Sequence, residues 1–204
     1  MFAYRRILCV LVVGFVLLMT AEGASARPAG NDQARIQEGI DAYQRGQLAK
    51  AFDIFGPLAS AGHPAAQYYL GILNQIGRDL QPNVEEALRW FRKAAEQGHA
   101  AAQYQLGLLY YQGLLVPQDY VEAARWLRKA AEQGEPTAQY LLGVVYDEGR
   151  GLPRDVVQAY LWLTLAARHG YPPADVVRDR VAGKMTTAQM AEAQQLAQQW
   201  KPQS

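Results

Sequence analysis

Cysteine is nearly missing from this chain. The single one, Cys9, lies in an apolar run close to the start, and none follows that run. Disulfides are therefore excluded as a source of stability, and so is a lipid-modified cysteine after the run; packing has to hold the fold. Serine is scarce too: past Ser25 only Ser60 and Ser204 remain. A Ser–His or Cys–His nucleophile pair has almost no residues to draw on. Charge of one sign is also lacking, with 20 basic and 19 acidic residues and no cluster of either. A nucleic-acid binder normally carries a basic stripe, so nucleic acid is not an expected partner.

Only one long apolar run exists, Ile7 to Ala21. Arg5 and Arg6 precede it, and Ala24-Ser25-Ala26 follows. This is the layout of a secretory signal peptide over residues 1–26, with Ala24 and Ala26 marking the cleavage site. The competing reading is an uncleaved anchor, for which the run is short of the roughly 20 residues that span a bilayer. The sequence thus predicts an exported, periplasmic protein with no stable membrane insertion after cleavage. Secretion from the cell and anchoring in the inner membrane are the alternatives. Taking Arg5, Arg6 and Glu22 away leaves eighteen residues of each sign. The rest is long enough to bury the core of one elongated domain.

What is abundant is repetition. Gln67, Gln103 and Gln139 share a column with a period of thirty-six residues. Gly71, Gly107 and Gly143 share another, and so do Gly77, Gly113 and Gly149. Ala87, Ala123 and Ala159 follow, then Trp90, Trp126 and Trp162, then paired alanines from Ala94, Ala130 and Ala166. Gly98, Gly134 and Gly170 close each unit. A fixed period of this size marks a stacked array, in which each unit buries its apolar face only against its neighbours.

Each unit reads as two helices. Ala102, Leu106, Gly107 and Tyr110 fall on one face of the first. Gly107 costs that helix about 1 kcal/mol relative to alanine, so its recurrence predicts a second helix too close for a Cβ. Asn83, Asp119 and Asp155 stand as N-caps of the second helix, with Glu86, Glu122 and Gln158 three residues on. Ala123, Trp126, Leu127, Ala130 and Ala131 form its buried stripe, and Gly134 ends it where a left-handed residue is wanted.

These units resemble Sel1-like repeats, the thirty-six-residue relatives of the tetratricopeptide repeat. The matching residues are the AQYxLG run, the tyrosine and glycine before the turn, the aspartate cap and the AxxWxxxAAxxG run, from Ala65 to Gly170. Unit two departs at Asn74, where a tyrosine is usual, and at Asp79, where unit four has Gly151. The resemblance implies an all-α fold, a right-handed α-solenoid of antiparallel helix pairs. It also implies a non-enzymatic scaffold whose first helices line a concave surface. Some Sel1-like proteins have been described as β-lactamases, but the S-x-x-K signature is absent here.

The expected layout follows. Residues 27–32 are a short flexible lead-in, with Asn31 or Asp32 capping the next helix. Residues 33–62 form a degenerate first unit with a shorter turn, and Pro57 should kink or loosen its second helix. Repeats occupy 63–98, 99–134 and 135–170. Residues 171–204 cap the array: Pro172 and Pro173 open one helix, Gly183 ends it, and Thr186 with Gln189 forms a capping box for the last.

Three further groups of residues bear on chemistry. His63 and His99 are one repeat apart, a separation set by helix spacings of about 8–10 Å, too far to share a zinc with ligands near 2 Å. No metal or other cofactor is expected. Arg92 and Arg128 lie one turn before Glu96 and Glu132, and Glu85 lies four before Arg89, fitting surface pairs. Asp147 and Glu148 are the carboxylates on which a glycan-cleaving reading would turn.

The residues left for binding lie on the first helices. They are Tyr68, Tyr69 and Ile72; Tyr104, Gln105, Leu108, Tyr111 and Gln112; and Tyr140, Leu141, Val144 and Asp147. Two arrangements fit them. Either they line an exposed groove for a protein or peptide, in which tyrosine suits a hot spot, or they pack against the neighbouring unit. Trp90, Trp126, Trp162, Tyr110 and Tyr146 read as core. The expected role is a protein–protein scaffold or adaptor in the bacterial envelope. The alternatives are a hydrolase acting on cell-wall or β-lactam substrates and a secreted factor acting on another cell.

Overall fold

A computed structural model describes residues 29–77, 82–114 and 116–203. The leader with Ala24 and Ala26, and Asp79 in the unit-two turn, lie outside the described residues. The chain divides into a unit over Met1–Arg35 and a unit over Ile36–Ser204. The described residues form ten helices and no strand: α1 Ala29–Gln44, α2 Leu48–Ser60, α3 Pro64–Ile76, α4 Val84–Glu96, α5 Ala100–Gln112, α6 Tyr120–Glu132, α7 Pro136–Glu148, α8 Val156–Arg168, α9 Pro173–Ala182 and α10 Thr187–Gln199. None is long and apolar enough to cross a membrane. The fold is an all-α helical repeat solenoid.

Helix starts and stops follow from local chemistry. The Asn83 side chain accepts from the N–H of Glu86; Asp119 and Asp155 each accept from two backbone N–H groups. Only half of a capping box forms there, because Glu86 and Glu122 turn to Arg89 and Arg125 instead. Thr186 and Gln189 make the full reciprocal box. At the far end of the second helices Gly62, Gly98, Gly134 and Gly170 take φ between 89° and 99°. The next residue then reaches back, as in His99 N–H to the Ala94 carbonyl at 3.1 Å. That left-handed turn closes the helix and aims the chain into the next unit.

One expectation about the first unit changes. Asn31 and Asp32 are not caps, because α1 is already helical from Ala29. Pro57 lies inside α2, which continues to Ser60. The lost N–H falls late in a short helix, and the Pro57 carbonyl still accepts from Ala61.

Packing within a unit depends on the mid-helix glycine. A Cβ at Gly107 would stand 2.7 Å from Leu127 Cγ, and one at Gly143 2.7 Å from Leu163 Cγ. At Gly71 and Gly39 it would meet the rings of Phe91 and Phe55 at 2.6 and 2.7 Å. Contacts this short do not occur, so glycine sets the approach of the two helices. Trp126 and Trp162 are buried, whereas Trp90 is half-buried. Tyr110 and Tyr146 are also half-buried, and their hydroxyls accept from Arg92 and Arg128 at 3.4 and 2.6 Å. Those arginines thus reach the next unit's first helix rather than Glu96 and Glu132, and Arg89 pairs with Glu86 rather than Glu85.

Units are joined by the buried glutamines. Gln67, Gln103 and Gln139 donate from Nε2 to the carbonyls of Ala59, Ala95 and Ala131, in the preceding second helix, at 3.2, 3.1 and 3.0 Å. Their Oε1 atoms meet Gln97, Gln133 and His169, thirty residues on, at 2.7, 2.8 and 2.8 Å.

Two stability predictions follow from these contacts. Gly107→Leu should cost about 1–3 kcal/mol through overpacking, and Gly107→Ala should not realise the helix-propensity gain of about 1 kcal/mol. Urea unfolding midpoints test both; an unchanged midpoint for the leucine variant would refute the close-approach account. Gln103→Leu strands the Ala95 carbonyl and the Gln133 amide, and should cost about 1–3 kcal/mol; a neutral result in the same assay would show that water replaces the junction.

Candidate functional site

The first helices α3, α5 and α7 carry the residues singled out for binding. Their side chains divide by position. Tyr68, Tyr104 and Tyr140 are half-buried, and each leans on the residue thirty-one positions later. The Tyr68 ring stacks on His99 with centroids 5.0 Å apart, with Gln105 beside its hydroxyl. Tyr104 has Glu135 and Thr137 as neighbours, and Tyr140 lies 4.9 Å from Tyr171. One side of each ring therefore fills the seam between units while the other reaches solvent. Burial raises the phenol pKa of Tyr68 and Tyr104, so both stay neutral donors at physiological pH.

Tyr69 turns back to the first unit, stacked on Phe55 at 5.0 Å. Ile72, Leu108 and Val144 are half-buried against the core clusters. Gln105 is half-buried and Gln112 exposed. Tyr111 donates to Glu148 Oε2 at 2.9 Å, and burial followed by that bond pushes its pKa up to about 12.

Two expected groove residues are not free surface. Leu141 is buried in a core cluster with Leu142, Trp162 and Leu165. Asp147 is 6% exposed and held by three cations. Lys184 Nζ lies 2.6 and 2.8 Å from its two oxygens, with Arg180 at 3.5 Å and Arg154 at 3.6 Å. Burial alone would raise the Asp147 pKa, but the Lys184 hydrogen bond and the three positive charges outweigh it and lower it. Asp147 is thus an anion at physiological pH and ties α7 to the segment after α9. That segment has no counterpart earlier in the repeat, so the period gave no sign of it. Asp147 offers no proton for acid catalysis, and its neighbour Glu148 is engaged by Tyr111 and Arg150.

The histidines also find structural places. His99 Nδ1 accepts from the Ala102 N–H at 3.3 Å and so caps α5. His169 meets Gln139 and the Trp200 ring. No group of three or more metal-ligating side chains lies together among the described residues.

The Sel1 repeat family model matches residues 64–99, 100–135 and 136–171. A Sel1 repeat protein from Oxalobacter formigenes superposes with a TM-score of 0.66 at 36% identity, over 70% of this chain and 59% of that one. The Escherichia coli protein c5321, a protective antigen present in uropathogenic strains and displaying an SLR fold, superposes at 0.59 with 31% identity, over 84% of this chain and 45% of that one. The chain therefore spans less than two thirds of the length of either. No curated protein matches it.

The His99 cap carries a pH prediction. Burial lowers its pKa from the ordinary 6.5, so the unfolded chain takes up a proton first as pH falls. The stability from neutral His99 is complete above about 6.5 and is lost as pH drops through the lowered value. His99→Asn keeps a capping oxygen and should show a smaller fall in urea midpoint between pH 7 and 5; parallel curves for the two proteins would refute the assignment. With three repeats covering more than half its length, the chain belongs to the Sel1 repeat family, whose members are generally protein-interaction scaffolds.

Proposed function

We propose that this protein is a non-enzymatic adaptor that holds an extended protein or peptide segment along α3, α5 and α7. The observation that supports this most is that Tyr68, Ile72, Tyr104, Leu108 and Val144, at matching columns of successive first helices, are each only half-buried, with Gln112 exposed beside them. Apolar surface left exposed on neighbouring helices usually marks a partner site. The neutral tyrosine hydroxyls and the Gln105 and Gln112 amides add hydrogen bonds suited to a peptide backbone. The stripe narrows toward α7, where Leu141 and Asp147 are committed to the fold, so α3 and α5 carry most of the contact.

The leader pattern favours export, and the bacterial envelope is the proposed setting. Mature protein in the periplasmic fraction, beginning at Arg27, is the expected result of fractionation and N-terminal sequencing. Appearance in the medium would favour the secreted-factor reading instead.

Cross-linked pull-down of the tagged protein from its own cell envelope tests the stripe. Leu108→Ser with Gln112→Arg changes the surface of α5 without opening the buried Leu106 contacts. A partner retained by wild type, and lost by this variant with its circular dichroism unchanged, is the expected outcome. Equal retention by both proteins, or none by either, overturns the stripe as the binding surface.

A further inference from the structure

The three full repeats carry the same second helix but finish its outer face in different ways. On α8 the face is apolar. Leu161, Trp162 and Leu165 form one cluster with Ala197 of α10, and Leu196 and Trp200 pack against it. Arg168 Nη1 fastens the cover by donating to the Ala197 carbonyl at 2.7 Å. A helix of the same chain thus lies on the outer face of α8.

On α6 the columns of Leu161 and Leu165 hold Arg125 and Lys129, and both are exposed; the C-terminal tail meets this helix at its end, where the Gln203 N–H donates to the Glu132 carbonyl at 2.8 Å. Val121 there is 63% exposed. Each cation already has a partner on the helix or its neighbour. Arg125 and Lys129 lie 4.9 and 4.7 Å from the Trp126 ring, and Arg125 also pairs with Glu122 at 2.6 Å. Arg128 is held by the Tyr146 hydroxyl. These three rim a hollow of about 300 Å³ floored by Val121, Ala124 and Leu152, with Glu132 the carboxylate on its edge. That volume is at the lower limit of small-molecule pockets and suits anchoring side chains.

We infer that the outer face of α6 is a second docking surface, whose occupant is an acidic helical segment of another protein. Its aliphatic anchor seats on Val121 and Leu152, and its carboxylates face Arg125, Arg128 and Lys129. The α10 helix on α8 shows that this face of the repeat accepts a helix. The exchange of leucines for cations at the same columns sets the charge of the occupant. Cations already held by Trp126 and Tyr146 lose little side-chain freedom on binding. In unit two the column of Val121 holds Glu85, which breaks the apolar floor, so the surface belongs to unit three. It lies on a second helix and stands independently of the first-helix stripe.

The probe is a fluorescein-labelled helical peptide with leucines along one face and glutamates beside them, compared with a twin in which lysines replace the glutamates. Anisotropy titrations use the whole protein at low and physiological salt. The glutamate peptide should bind at least about tenfold more tightly than its twin and weaken as salt screens the cations. Arg125→Glu with Lys129→Glu should lose about tenfold for the glutamate peptide, and Val121→Asp a similar amount, each with circular dichroism unchanged. Leu108→Ser should bind like wild type. Equal binding of the two peptides, no binding at millimolar peptide, or insensitivity to the α6 variants overturns the inference. So does a protein dimer in sedimentation that the Arg125→Glu, Lys129→Glu variant abolishes, since the occupant would then be a second copy.

Discussion

A buried carboxamide holds three helices at each junction of the array. Gln103 illustrates why glutamine fits. It donates to a carbonyl near the end of α4 and belongs itself to α5, while its oxygen accepts from Gln133 at the end of α6. A carboxylate has no proton for the first bond, and a leucine satisfies neither, leaving buried polar groups that cost more than a hydrogen bond returns. The side chain must also span from one helix to the carbonyl of another, which asparagine is too short to do at this spacing. Because each junction fixes the end of one unit against the start of the next, the stacking geometry repeats. The last junction uses His169 in place of the partner glutamine, and its ring meets Trp200 of the C-terminal cover.

The mid-helix glycines complete the frame. With the two helices of a unit in contact at Gly71, Gly107 and Gly143, the aromatic and leucine side chains of the second helix are driven onto backbone. Little room remains for the surface residues to influence the stacking. Surface identity is therefore free to differ between units that superpose in their interior. Unit four spends Leu141, Asp147, Leu161 and Leu165 on closing the array, whereas at the same columns unit three has half-buried Gln105 and Tyr111 and exposed Arg125 and Lys129.

Much of this was legible in the chain itself. The thirty-six-residue columns revealed the helix pairs, the aspartate caps, the left-handed glycines and the close approach at Gly107, because each is a local or strictly periodic requirement. Contacts that break the period were hidden. Asp147 reads as a surface acid by its column and is buried only because Lys184 and Arg180 return from the capping segment. The partners of Arg92 and Arg128 are hidden for a related reason. Helical spacing offers a glutamate one turn away, but a tyrosine hydroxyl on the next unit lies within reach and has buried atoms to cover. The thirty-residue step from each glutamine to its partner involves a residue at the helix end, where the columns carry Gln, Gln and His and so show no single identity.

The same distinction bears on where binding energy can come from. A residue that secures the stack, such as Tyr68 against His99, is ordered before any partner arrives, so presenting its free edge costs little further entropy. The seam tyrosines are part of the fold and stay part-exposed, so under the proposed function the same rings would both pack between units and face the partner. Removing such a ring would weaken binding and stability together. Residues that only face solvent, Gln112 on α5 and Val121 on α6, separate the two effects. Substitutions that distinguish recognition from folding therefore belong at those positions, one on each helix of the unit.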